Sequence, residues 1–213
     1  MTTLYFVRHG QTDWNLQRRL QGHTDVPLNQ TGREQAQALS AFFRENQIRT
    51  CVTSDLSRAI QTAALMAPDA ILTTDWRLRE ADLGLAEGLT YDEVVSRFGQ
   101  NAWENFLSVE TSDGRPCFPG GEAKGQHRAR LMEALRSFLS RRTETQAAAV
   151  VTHGGSLVRL LDACNPGWFQ RNGRLPRVGN GEIFRGTAKL DLKTMALELR
   201  IDPEPISAQA KDS

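Results

Sequence analysis

The sequence predicts an α/β sandwich of three layers, a largely parallel central sheet with helices on both faces. Three observations point there. Short apolar, β-branched runs alternate with stretches of helical periodicity, the pattern of successive βα units. Two of those runs end on a histidine followed by glycine, "RHG" at 8–10 and "THGG" at 152–155. The length of 213 residues suits one compact domain that buries roughly 70% of its unfolded surface, and two domains would be cramped.

Taken in order, the first strand is expected at 3–8, where Leu4, Tyr5, Phe6 and Val7 run together before Arg8 and His9. A helix follows over 30–46, with Ala36, Leu39 and Phe43 spaced by three and four and Asn29 placed to cap it. The second strand, 50–53, leads through Ser54 and Asp55 into a helix over 56–66, and the third strand covers 70–73. "TYDE" at 90–93 has capping-box spacing and predicts a helix over 91–98, with a short one after it that carries Trp103, Phe106 and Leu107.

Residues 109–121 hold two prolines and three glycines and read as a loop. Leu131, Leu135, Phe138 and Leu139 then lay an apolar stripe along a helix over 122–141. Strands are expected at 148–152, 184–191 and 196–202. The chain divides into a single domain over 1–203, with a cap insertion at 89–121, and a mobile tail at 204–213 that lacks an apolar pattern.

The charge is balanced, 26 lysines and arginines against 25 acids, so nothing draws the whole molecule toward nucleic acid or an anionic membrane. Anion recognition has to be local. Cys51, Cys117 and Cys164 show no CxxC spacing and are expected as buried thiols in a reducing, cytoplasmic setting. No apolar run approaches ~18 residues, and no signal-peptide charge block is expected ahead of the first strand.

Chemistry should gather beyond the carboxyl ends of the strands, where loops open and helix N-termini point. Both His-Gly pairs fall on that edge, and glycine lets the backbone turn close to a ligand. Arg58, on the first turns of the helix after the second strand, points to the same edge and forms with Arg8 a clamp for phosphate oxygens. Glu80, Asp82 and Glu87 supply acids after the third strand. Two histidines and one acid are also a common metal-ligand set. Two arginines in the same place repel a divalent cation and attract a dianion, which favours the anion reading.

These residues resemble the histidine phosphatase superfamily, in its phosphoglycerate mutase-like branch. "RHGQTDWN" at 8–15 is similar to its signature, and "LQGHTDVPLNQTGREQA" at 20–36, "SDLSRAIQTA", "LRE", "EG" and "VTHGG" follow in the family's order across roughly 3–190. The resemblance implies a phosphoglycerate mutase-like fold and a metal-independent phosphomonoesterase that works through phosphohistidine, without a cofactor. It makes His9 the nucleophile, Glu80 the acid and base, and His153 with Arg8, Arg58, Asn15, Gln21 and Gly154 the phosphate site. The implied partner is a small-molecule phosphate monoester, with a homodimer allowed and neither nucleic acid nor membrane involved. The alternative is a cofactor-dependent phosphoglycerate mutase. Mutases of the family carry an adjacent arginine pair after the glutamate, whereas here Arg97 and Arg115 stand apart. Leu85 and Ala86 stand where the family often has an acidic-aromatic pair, and "PGGEA" at 119–123 resembles a family motif that names no ligand.

Overall fold

The computed structural model describes residues 1–108, 114–142, 146–167 and 178–206. Its strands are β1 (Thr2–Arg8), β2 (Thr50–Thr53), β3 (Ile71–Thr74), β4 (Ala148–Thr152), β5 (Ile183–Leu190) and β6 (Leu197–Ile201). They form one sheet in the order β3-β2-β4-β1-β5-β6. The pairs β2/β3, β2/β4 and β1/β4 are parallel, while β5 and β6 close one edge antiparallel. The largely parallel sandwich is therefore what folds.

Alternation along the strands divides the interior into two cores. From β1, Leu4 and Phe6 enter one cluster while Tyr5 and Val7 enter the other; from β4, Ala148 and Val150 oppose Ala149 and Val151 in the same way. Helices α7 (Lys124–Ser140) and α8 (Gly154–Cys164) cover the first face with Leu131, Leu135, Leu157 and Leu160. Helices α2 (Gln30–Ala38), α3 (Ser40–Glu45) and α4 (Ser57–Met66) cover the second with Leu39, Phe43, Ala59 and Met66. Each large side chain buried in this way contributes about 1.5–3 kcal/mol.

Local signals largely hold. Asn29 caps α2 by accepting from the Gly32 N–H at 2.9 Å. Thr90 and Glu93 form the expected capping box of α5 (Tyr91–Phe98), which is followed by α6 (Gln100–Leu107). The helix expected over 30–46 is instead two, because the Leu39 N–H donates to Ala36 and tightens one turn before the ladder resumes. Ala36, Leu39 and Phe43 stay buried on both sides of that break. A four-residue helix not expected from the sequence, α1 (Asp13–Leu16), starts at Thr12 with its own capping box.

The tail boundary also shifts. Ile206 donates to the Ile183 carbonyl at 2.8 Å and packs against the second core, so the described chain continues past 203. Residues 207–213 of the expected tail, and 109–113 of the expected cap loop, lie outside the described residues. Elsewhere in the expected cap, Val94 and Phe118 share a small core with Leu83 and Ala86, and Phe98, Trp103 and Phe106 pack on it. The expectation for the cysteines holds in outline: Cys51 is buried, and burial pushes its thiol up to about 12, while Cys117 and Cys164 are half-buried. Among the described residues no helix is long and apolar enough to cross a membrane.

Candidate active site

Register explains why the two histidines meet. Arg8 pairs with Thr152 across the parallel β1/β4 ladder, so the next residue of each strand, His9 and His153, leaves the sheet at the same level. Their rings lie 5.1 Å apart at 62°. Together with Arg8, Arg58, Asn15, Gln21 and Glu80 they line a cavity of about 190 Å³ at the carboxyl edge of the sheet.

Hydrogen bonds fix which ring atom faces the cavity. His9 Nδ1 lies 2.7 Å from the Gly10 carbonyl, which can only accept, so Nδ1 carries the proton and Nε2 carries the lone pair. The His9 backbone is pinned by Thr152 and by Asn180, whose Nδ2 donates to the His9 and Gly10 carbonyls at 3.0 and 3.2 Å. His153 shows the opposite tautomer. Its Nδ1 accepts from Arg58 Nε at 3.2 Å, which puts the proton on Nε2. That Nε2 is buried and has no partner among the described residues. One imidazole thus presents a lone pair and the other an N–H.

Both rings are held neutral, well below the ordinary histidine range. Desolvation is the main cause for each, followed by the Arg58 charge. Arg58 is itself fully buried, and that burial pulls it down to about 10, which still leaves it charged at neutral pH. Its guanidinium donates to His153, to the Thr24 carbonyl and to the Gly22 carbonyl, the last two at 2.8 Å. Three of its five N–H groups are thereby used. Arg8 is held by the Val178 carbonyl at 2.5 Å.

Asn15 lies on the same cavity wall. Its Oδ1 accepts from the Thr12 N–H at 3.1 Å and from Asn180 at 3.2 Å, so the amide NH2 is the part left to donate. The Gln21 carbonyl oxygen sits 3.1 Å from the Thr12 hydroxyl. Gly154 is placed differently from expectation, since it packs against the Arg8 side chain and does not line the cavity. Its neighbour Gly155 does. A β-carbon there would lie 2.6 Å from Glu80 Oε1, so glycine is what lets the Gly155 N–H reach Glu80 Oε2 at 2.8 Å.

Glu80 is therefore seated on the N-terminus of α8. The segment that carries it is fastened by Arg130, which donates to the carbonyls of Arg77, Arg79 and Glu80 and pairs with Glu122. Glu122 also exchanges hydrogen bonds with the Asp82 backbone, both at 2.9 Å. This is the work of the "PGGEA" motif. Glu87 is not at the chemistry: its carboxylate accepts from the backbones of His23, Thr24 and Leu83 and shapes the loop beneath Arg58. Asp82 pairs at 3.9 Å with His23. Among the described residues no group of three or more metal-ligating side chains gathers anywhere.

Sequence reasoning missed Asn180, Glu122 and Arg130, and also His127, a buried histidine on the cavity wall. Of the aromatic residues on the short helix, Phe106 reaches the cavity, while Trp103 packs on the small cluster around Phe118.

A lone-pair imidazole thus faces an N–H imidazole between two arginines. The profile of the Histidine phosphatase superfamily (branch 1) matches residues 4–191. The chain belongs to the histidine phosphatase superfamily. Among curated relatives of this superfamily member is the Probable phosphoglycerate mutase GpmB of Salmonella typhi, 35% identical over 82% of this chain and 81% of that one. Among solved structures, Bacillus stearothermophilus YhfR superposes with a TM-score of 0.81 at 28% identity, covering 98% of this chain and 99% of that one. A mycobacterial glucosyl-3-phosphoglycerate phosphatase in complex with VO3 gives 0.76 at 28% identity, with 93% and 97% covered. Histidine phosphatase relatives thus carry both phosphatase and mutase names.

Proposed function

We propose that the chain is a metal-independent phosphomonoesterase for a small phosphorylated metabolite, working through phosphohistidine. The observation that carries this reading is the tautomer pair, His9 Nε2 as a lone pair and His153 Nε2 as a donor, in a pocket whose fixed charges are Arg8 and Arg58. His9 Nε2 attacks phosphorus, and the bond to the leaving oxygen breaks while protonated Glu80 gives that oxygen its proton. Arg8, Arg58, Asn15 and His153 hold the equatorial oxygens through the transfer. Glu80, now a carboxylate, takes a proton from water; the hydroxide attacks phosphorus, the P–N bond breaks, and His9 returns to its neutral state. Positive charge for the transition state comes from the arginines, which is why no metal is required in this scheme.

Rapid quench with labelled substrate tests the reading. It should trap an acid-labile, base-stable protein phosphate in the wild type and none in His9→Ala. Equal labelling of the variant would overturn it.

A second reading, a cofactor-dependent phosphoglycerate mutase, is favoured by two further cations on the cavity wall, Lys124 and Arg159, and by the name of the curated relative. Arg97 and Arg115 do not line the cavity. Supplied with 3-phosphoglycerate and catalytic 2,3-bisphosphoglycerate, a mutase interconverts isomers at roughly 10 per second or more; phosphate release without interconversion supports the hydrolase.

A further inference from the structure

His127 is 1% exposed, lies on the cavity wall, and has no part in the scheme above. Its Nε2 is 2.9 Å from Ser156 Oγ. That hydroxyl sits between two acceptors, the Arg79 carbonyl at 3.0 Å and Glu80 Oε1 at 3.4 Å. It has one proton to give, so it can serve only one of them at a time.

We propose that Ser156 is a rotor whose O–H follows the charge of Glu80, and that His127 is the positioning residue that holds the rotor's oxygen. The proposal rests on Glu80 acting as acid and then base. With Glu80 protonated, Ser156 donates to the Arg79 carbonyl. When Glu80 has given its proton to the leaving oxygen, the Ser156 O–H turns to Oε1 and steadies the carboxylate, and it turns back once Glu80 has taken a proton from water. No proton passes through Ser156. In this arrangement His127 donates its Nε2–H toward Oγ in both positions, beside the hydrogen bond that its ring makes to the Arg79 backbone.

Both positions are fully hydrogen-bonded, so neither strands a buried group. When Ser156 leaves the Arg79 carbonyl, Arg130 Nη1 still donates to that carbonyl at 2.8 Å. When Ser156 leaves Glu80, the Ala81 N–H still donates to Oε1 at 3.0 Å and the Gly155 N–H to Oε2 at 2.8 Å. The device needs a neutral imidazole. Desolvation first, then the charges of Arg130 and Arg159, hold His127 well below the ordinary histidine range. Among the described residues, the charged or titratable groups that face the pair are Glu80, those two arginines, His153 and His23.

The test uses the full chain and two readouts. Nitrogen-15 NMR of the wild type should show His127 as the neutral Nε2–H tautomer at neutral pH; a deprotonated Nε2 or an imidazolium there overturns the proposal without any variant. Ser156→Ala should slow single-turnover phosphorylation by an alkyl phosphate about tenfold, the size expected for losing one hydrogen bond to a charged group, and leave that by p-nitrophenyl phosphate nearly unchanged, because its leaving group needs little protonation. His127→Leu should show the same substrate dependence to a smaller extent, and His127→Gln, which keeps a donor at similar reach, should restore the wild-type rate on the alkyl phosphate. Equal slowing of both substrates in Ser156→Ala and His127→Leu makes both residues merely structural and overturns the proposal. The NMR experiment needs no turnover, so it can fail while the phosphatase reading stands, and the converse also holds.

Discussion

Acid should unfold this protein in a pH range set by its histidines. His9, His127 and His153 are 3%, 1% and 0% exposed, and all three are held well below the ordinary histidine value. In the unfolded chain each returns to a pKa near 6.5. Below that value the unfolded state binds protons that the native state refuses, so stability falls as pH drops, beginning near 6.5 and continuing down to the depressed native values. Across the span from one pH unit above the unfolded value to one below it, each histidine costs on the order of 1 kcal/mol and the three together a few kcal/mol, against a total stability of about 5–15 kcal/mol. Carboxylates with lowered values, such as Asp55 with Arg79 and Asp75 with Arg77, lose their contribution only at lower pH, in their own titration range. Urea unfolding in phosphate-free buffer at half-unit pH steps measures the loss. His127→Leu should remove about a third of it. A flat stability between pH 7.5 and 5.5, or an unchanged slope in that variant, would refute the reasoning.

Other predictions concern the chemistry. Glu80→Gln should slow phosphoenzyme formation from an alkyl phosphate by about 10²–10⁴, and far less from p-nitrophenyl phosphate, whose leaving group needs little protonation; equal slowing in single turnover would make Glu80 a positioning group. Gly155→Ala places a β-carbon 2.6 Å from Glu80 Oε1 and should reproduce that substrate dependence with Glu80 still present. Unchanged alkyl phosphate kinetics would show that the seat on α8 does not matter. Dialysis against a strong chelator should leave turnover unchanged, and vanadate should inhibit competitively; activity lost to the chelator and restored by a divalent metal would reverse the anion reading.

The site was legible wherever a local pattern carried it. A strand that ends on Arg8 and His9 and another that ends on His153 announce a shared edge, because parallel neighbours leave the sheet on the same side. Capping at Asn29 and Thr90 was equally local. His127 was hidden for the opposite reason: it falls four residues before Leu131 on the buried stripe of α7, and a histidine in that place reads as core. Asn180 acts across 171 positions of sequence on the His9 carbonyl, and no spacing marks it. The break at Leu39 rests on one tightened turn inside an uninterrupted apolar stripe, so periodicity passed over it. Ile206 joins the sheet through a single bridge to Ile183, too short a contact to leave a strand pattern.

The cap's separate apolar cluster has a consequence for divergence. Leu83, Ala86, Val94 and Phe118 share no member with the two clusters that flank the sheet. Substitutions there reshape the wall around Phe106 without disturbing the strand ends that present His9 and His153. A lineage can therefore drift in this small cluster while Arg8, His9, Arg58 and His153 keep their places. A chimera that exchanges residues 83–121 with those of a relative should acquire that relative's substrate preference, with any covalent label still on His9.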